Sequence, residues 1–306
     1  MELLIRKPGK RELKQCRHPA EETDLTFAIA ISVVAIAGIA ACDLFLTSGF
    51  LGGGLFVLSV ARYFREIFRS NRKSSSVKVS ERNFPDLHFI SFETREAFGM
   101  QAEPELYVVA DTRVALWSAR WPGKTEITIS SGLVEAMNLE KNRLQASWIA
   151  ARNFGRLWSW SQRSKALRIF VRIILFFVPL RTFVFPYLRS LEYTGDQLGL
   201  LITANLDETA DVFHKLLAGA GLSQQVSFTG LIQQGEELKG DWAARLSSSF
   251  SSEPSLISRY LNLLAFTNWR FPSMFEDFTS HFRAVSQEDL SGVLPRDWKD
   301  KEKFTE

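Results

Sequence analysis

The stretch WIAARNFGRLW, residues 148–158, places Arg152 and Arg156 one helical turn apart, with Asn153 directly after the first. Positions i and i+4 share a helix face. At this spacing two histidines hold a metal ion, while a glutamate between them takes a proton from the bound water. The side chains here cannot do that chemistry. A guanidinium has no lone pair for a metal, and an amide is not a general base near neutral pH. Arg152, Asn153 and Arg156 are the first candidate positions.

Little else in the chain offers a nucleophile or a metal. Cys16 and Cys42 are the two cysteines, one in a basic segment and one in an apolar segment, which excludes a disulfide framework and a cysteine zinc site. The four histidines, His18, His88, His214 and His281, are widely separated. The order of residues gives no Ser/His/Asp or Cys/His set. The net charge of +3 is small and no long basic tract is present, so nucleic acid is not an expected partner.

The elements that must position the candidate residues begin with a membrane segment. Residues 25–60 contain no Lys or Arg and one acid, Asp43. About 20 apolar residues span a bilayer as a helix, so this run suits two short spans, at 25–42 and 47–63, broken between Asp43 and Gly54. Basic residues flank both ends and are missing from the turn, which puts both ends on the cytoplasmic side. The expected organisation is a basic N-terminal segment at 1–24, a transmembrane hairpin at 25–64, a polar linker at 65–84, a globular domain at 85–285 and a charged tail at 286–306. A second apolar stretch, 167–188, carries Arg168, Arg172 and Arg181. It suits either an interfacial segment with snorkelling basic side chains or a buried helix pair.

Within the domain, ELYVVA (105–110) and EITIS (126–130) read as strands, with DTRVALWSARWPGK between them as a loop. Helices are expected at 139–160 with Asn138 as N-cap, and at 188–204, 207–219 and 254–266, the last with Pro254 in its first turn.

This order of elements resembles the M48 family of membrane-associated zinc metallopeptidases, the Ste24 and HtpX-like gluzincins. The resemblance covers about 103–268 and rests on four places. PELYVVADTRVALWS looks like the first strand and its loop. EITISSGLVEAMNLEKNRLQASWIAARNFGRL looks like the edge strand, turn and H-E-x-x-H helix. LRSLEYTGDQLGLL resembles the R-x-x-E-y-x-A-D helix. SSEPSLISRYLNL resembles the late H-P-x-x-x-x-R-I element, with Glu253 in place of its histidine and Pro254 and Arg259 matching.

The resemblance implies a mainly α fold with a small β-sheet, an α+β gluzincin-like metallopeptidase fold behind a transmembrane hairpin. It puts Arg152 and Arg156 at the two histidine ligands, Asn153 at the base, Glu192 at the third ligand and Asp196 behind it. With both histidines and the base replaced, zinc is expected to be lost and the chain to be a pseudoenzyme. Arg152 or Arg156 is expected to pair with Glu192, against the alternative that both face solvent or headgroups.

The function that follows is a membrane-anchored pseudopeptidase, a binding, scaffold or assembly subunit of a membrane protein complex whose partners are lipid and a membrane protein or peptide. The edge strand Glu126, Ile127, Thr128, Ile129 and Ser130 could pair with an extended peptide. Trp117, Trp121, Trp148, Trp158 and Trp160 could line that groove, or serve as core or interfacial anchors. Two alternatives stay open: a hydrolase with a non-standard site, and an anion or lipid-headgroup binder using the Arg152/Arg156 fork.

Overall fold

The computed structural model describes residues 5–42, 53–61, 76–101, 104–112, 116–121, 124–137, 139, 143–177 and 180–282. The chain is mostly helical with a small sheet. Helix α1 (Lys10–Gln15) leads into the long apolar α2 (Ala20–Cys42). Strand β1 (Ser76–Lys78), helix α3 (Pro85–Ala97) and strands β2 (Glu105–Val109), β3 (Leu116–Trp121) and β4 (Lys124–Ser130) follow. Helices α4 (Ser131–Met137), α5 (Arg143–Ser161) and α6 (Lys165–Phe176) come next, then a 3-10 turn (Leu180–Val184) opening into α7 (Phe185–Thr203). The chain continues through α8 (Leu206–Ala218), α9 (Phe228–Gly240), α10 (Trp242–Ser249), α11 (Leu256–Arg270) and α12 (Pro272–Ser280).

The sheet order is β1-β2-β4-β3. β2 and β4 run parallel, with Leu106 opposite Ile127 and Val108 opposite Ile129. All four side chains are buried. Leu106, Ile127 and Ile129, together with Leu87 and Ile90 of α3 and Ile149 and Phe154 of α5, enclose a small apolar cavity, and Asn153 is the polar residue on its wall. β3 folds back antiparallel on β4, so the segment expected as a loop contains a strand. β4 is consequently paired on both sides. The reading of Glu126, Ile127, Thr128, Ile129 and Ser130 as an edge strand is corrected: their backbone groups are already used by β2 and β3, and among the described residues the edges are β1 and β3.

Several boundaries also differ from the sequence expectation. The N-terminal segment is built into the domain, since Leu13 and Cys16 are in the core and the Arg6 amide donates to the Ile202 carbonyl at 3.0 Å. α2 begins at Ala20, before the expected span, and its inner side is covered at Glu21, Leu25 and Ala28. Phe27, on its outer side, and Val33, Val34 and Ile36 further along are exposed. Ala20–Ala41, with mean hydropathy 2.1, is long and apolar enough to cross a membrane. Residues 53–61 are helical, whereas the expected turn at 43–52 and the charged tail lie outside the described residues. The expected linker holds β1 and the buried Val79.

The expected helices are present with shifted ends. α5 runs from Arg143 rather than 139, and Asn138 lies outside the described residues. α8 is capped by the Asn205 side chain, which accepts from the Glu208 amide at 2.9 Å. α11 is capped by Ser255, leaving Pro254 just before the helix. In the stretch 167–188, Val171 and Ile174 of α6 pack with Leu25 and Ala28 of α2, while Ile169 and Ile173 remain exposed. Trp148, Trp158 and Trp160 are core residues at 1%, 3% and 7% exposure. The side chains of Trp117 and Trp121 lie outside the described residues.

Candidate functional site

The site is the seam between α5 and α7, and glycine sets how closely these helices approach. A Cβ on Gly195 would lie 2.8 Å from the Arg152 carbonyl oxygen, one on Gly199 2.9 Å from the Trp148 indole nitrogen, and one on Gly155 2.8 Å from the Leu198 Cβ. Cβ atoms do not tolerate such distances. Glycine at these places therefore lets the backbones come close enough for side chains on one helix to reach acids on the other.

Arg152 makes that reach. Its Nε donates to Asp196 Oδ1 at 2.6 Å and its Nη2 donates to Glu192 Oε2. Arg156 Nη1 donates to Glu192 Oε1. The sequence placed Arg259 in the late motif without a partner. The structure brings it from α11 onto Asp196, where its Nε donates to Oδ2 at 2.8 Å and its Nη2 to Oδ1 at 2.7 Å. The groups alternate in sign as Arg156, Glu192, Arg152, Asp196, Arg259. Asp196 is fully buried, and Arg152, Glu192 and Arg259 are 6–7% exposed. The alternative that both α5 arginines face solvent or headgroups does not describe this arrangement.

Burial makes the partners matter. Desolvation by itself would raise the Glu192 pKa, but the guanidiniums of Arg156 and Arg152 outweigh it and hold the carboxyl down at about 2. Burial also pushes the Arg152 pKa down, aided by the neighbouring Arg259 charge, while Asp196 and Glu192 pull it back. Arg259 faces the same desolvation, yet Asp196 drives its pKa up. The network carries three cations against two anions, and each carboxylate oxygen receives a guanidinium N–H.

The residues present do not fit zinc. Both oxygens of Glu192 are occupied by N–H donors, and the flanking positions that would have to supply lone pairs are guanidiniums. Nor does Asn153 stand as a base. Its Nδ2 donates to the Ile149 carbonyl at 2.6 Å, one turn back on the same helix. Glu253, which takes the place of the late histidine in the resemblance, is exposed, and its charge acts on Arg259.

A second ionic cluster lies further along the same seam and was missed in the sequence. Glu21, from the first turn of α2, is fully buried. It accepts from Arg17 Nη2 at 2.5 Å, Ser159 Oγ at 2.7 Å, Thr194 Oγ1 at 2.7 Å and Arg163 Nη2 at 2.9 Å. The available signal was helical spacing: Arg152, Arg156 and Ser159 recur at steps of four and three along α5, which puts them on one face, with Arg163 just past its end.

No protein-family model matches the chain, and no curated protein and no solved structure is significantly similar to it.

Proposed function

We propose that the chain is a membrane-anchored pseudopeptidase, an M48-like protein without hydrolytic chemistry that serves as a binding, scaffold or assembly subunit of a membrane complex. The observation that carries this reading is the pairing at Glu192, whose carboxylate accepts from Arg152 and Arg156; the M48 resemblance gives these three the positions of the third ligand and the two metal-binding histidines. A permanent charge fixed to the chain occupies the place of a bound ion. The headgroup-binding alternative is less well served by this geometry, since both guanidiniums are already committed to Glu192.

The anchor in this reading is a hairpin. Residues before α2 and the strand after it both pack in one domain. If α2 crosses the bilayer, the chain must therefore cross back before Ser76. The basic flanks then put the domain and the N-terminus on the cytoplasmic side. Peptide capture by strand addition passes from β4 to β3, the sheet edge beside it.

Purification in mild detergent tests the reading twice. Metal analysis is expected to find no stoichiometric zinc, and affinity isolation is expected to retain a membrane protein. A photo-crosslinking residue at Ser118 or Ala119 of β3 would report a peptide on that edge. One zinc per chain together with peptide hydrolysis would overturn the proposal.

A further inference from the structure

The short helix α10 stands apart from the core. Trp242 is 72% exposed, Leu246 52% and Phe250 66%, and their spacing of four residues sets them in one apolar stripe. The helix is nonetheless capped at its N-terminus by its own flanking residue and tied to the domain at its C-terminal end. Asp241 accepts from the Ala243 amide at 2.8 Å, and Arg189 Nη1 donates to the Ser248 and Ser251 carbonyls at 3.0 and 2.9 Å. A helix held this firmly keeps a fixed apolar side turned outward.

Arg189 also locates the stripe. The next residue, Ser190, donates to the Asp24 carboxylate of α2, in the part of α2 that is seated in the domain. The 3-10 turn that opens into α7 connects back to α6, whose Ile169 and Ile173 are exposed as well. The stripe on α10 is thus tied to the end of the domain from which the apolar helix departs.

Area and chemistry select the occupant. Three side chains exposed to this degree present roughly 400 Å², about half of the ~800 Å² that each partner contributes to a stable protein interface. A bilayer sets no such threshold, because each side chain gains by entering it alone. Tryptophan and phenylalanine beside the start of an apolar span are residues that settle at the headgroup–acyl boundary.

We propose that α10 docks on the lipid surface, with Trp242, Leu246 and Phe250 entering the interface of the bilayer that α2 spans. The proposal rests on α2 being in that bilayer. The test uses the full chain with Cys42→Ser, Cys16 being buried out of reach of reagents. It is reconstituted in phosphatidylcholine vesicles containing one-quarter phosphatidylglycerol. Nitroxide labels are placed singly by Leu246→Cys, by Phe250→Cys and, as a control on α2, by Val34→Cys.

Collision of each label with oxygen, which favours lipid, and with a water-soluble nickel chelate is read by spin resonance. At 246 and 250 the ratio of oxygen to chelate accessibility is expected to exceed that of a water-exposed site severalfold. A lipid-exposed label at 34 with water-exposed labels at 246 and 250 overturns the docking of α10 and leaves the anchor standing. Water-exposed labels at all three overturn both. Labels at 246 and 250 shielded from both reagents show a protein cover and overturn lipid docking.

Discussion

Glu192→Gln is the substitution that separates a charge-balanced network from a set of incidental contacts. The change keeps shape and removes one charge, leaving Arg152, Arg156 and Arg259 around Asp196 alone. The buried guanidinium of Arg152 and the partly buried one of Arg156 then face one amide. Removing one partner of a buried pair costs about 3–5 kcal/mol because the charge left behind is uncompensated. Arg152→Met should cost less, although it deletes the central group. Asp196 keeps both bonds from Arg259, Glu192 keeps Arg156, and the remaining charges sum to zero. Against two lost charge-assisted hydrogen bonds stands the relief of a desolvated cation, which leaves a net cost of about 1–2 kcal/mol. The double variant should be less destabilised than the sum of the singles by about 2 kcal/mol, as expected for directly coupled groups.

Thermal unfolding of the detergent-purified protein, followed by tryptophan fluorescence, reads these differences. About 3–5 kcal/mol corresponds to a fall in Tm of roughly 6–20 °C for a domain of this size, with urea midpoints as a second measure. A Glu192→Gln variant within 1 kcal/mol of wild type on this scale, or an Arg152→Met variant less stable than it, would refute the reasoning.

Other consequences can be measured on the same protein. Gly195→Ala puts a methyl group against the Arg152 carbonyl at 2.8 Å and should lower stability by about 1–3 kcal/mol, as overpacking does; an unchanged Tm would mean that the seam is looser than described. Glu192 titrates at about 2 in the folded chain against an ordinary 4.5. Its contribution, about 3 kcal/mol, is therefore complete above roughly pH 4.5 and is lost as the pH falls toward 2. Urea titrations across that range should show this slope in wild type and a weaker one in Glu192→Gln. Rewriting the helix as Arg152→His, Asn153→Glu and Arg156→His should create a zinc site with Glu192, detected as one bound zinc per chain by metal analysis. Failure to bind zinc in a variant that still folds would count against the proposed M48-like reading of α5 and α7.

The i, i+4 spacing put Arg152 and Arg156 on one helix face whatever the fold, but their pairing with Glu192 was legible only through the resemblance, which set all three around one metal site. The helical body was legible from spacing too, since apolar periodicity reports burial directly. Long-range partners were harder to read. Arg259 lies 63 positions beyond Asp196, and nothing local to SRYLNL says that its arginine turns inward. Glu21 fell within the basic N-terminal segment at 1–24, because an acid that stands with Glu22 and Asp24 before an apolar run is ordinarily solvated. Only the fold shows three helices converging on it. The edge-strand assignment failed on β3, whose pairing turns LWSARW from a loop into a neighbour of β4. Alternation in a short aromatic and polar segment is too weak a signal to reveal that.

The seating of Glu21 bears on how the domain is carried. An anchor joined by a flexible linker lets its cargo tumble over the membrane and be shed by a single cut. Here the helix that is long and apolar enough to cross a bilayer has its first turn locked between α5 and α7, so if it serves as the anchor no tether is available on the N-terminal side to swivel or to sever. The domain would present one fixed face to the lipid and another to its surroundings. A protease attacking the junction before α2 would have to open the core before it could separate anchor from domain.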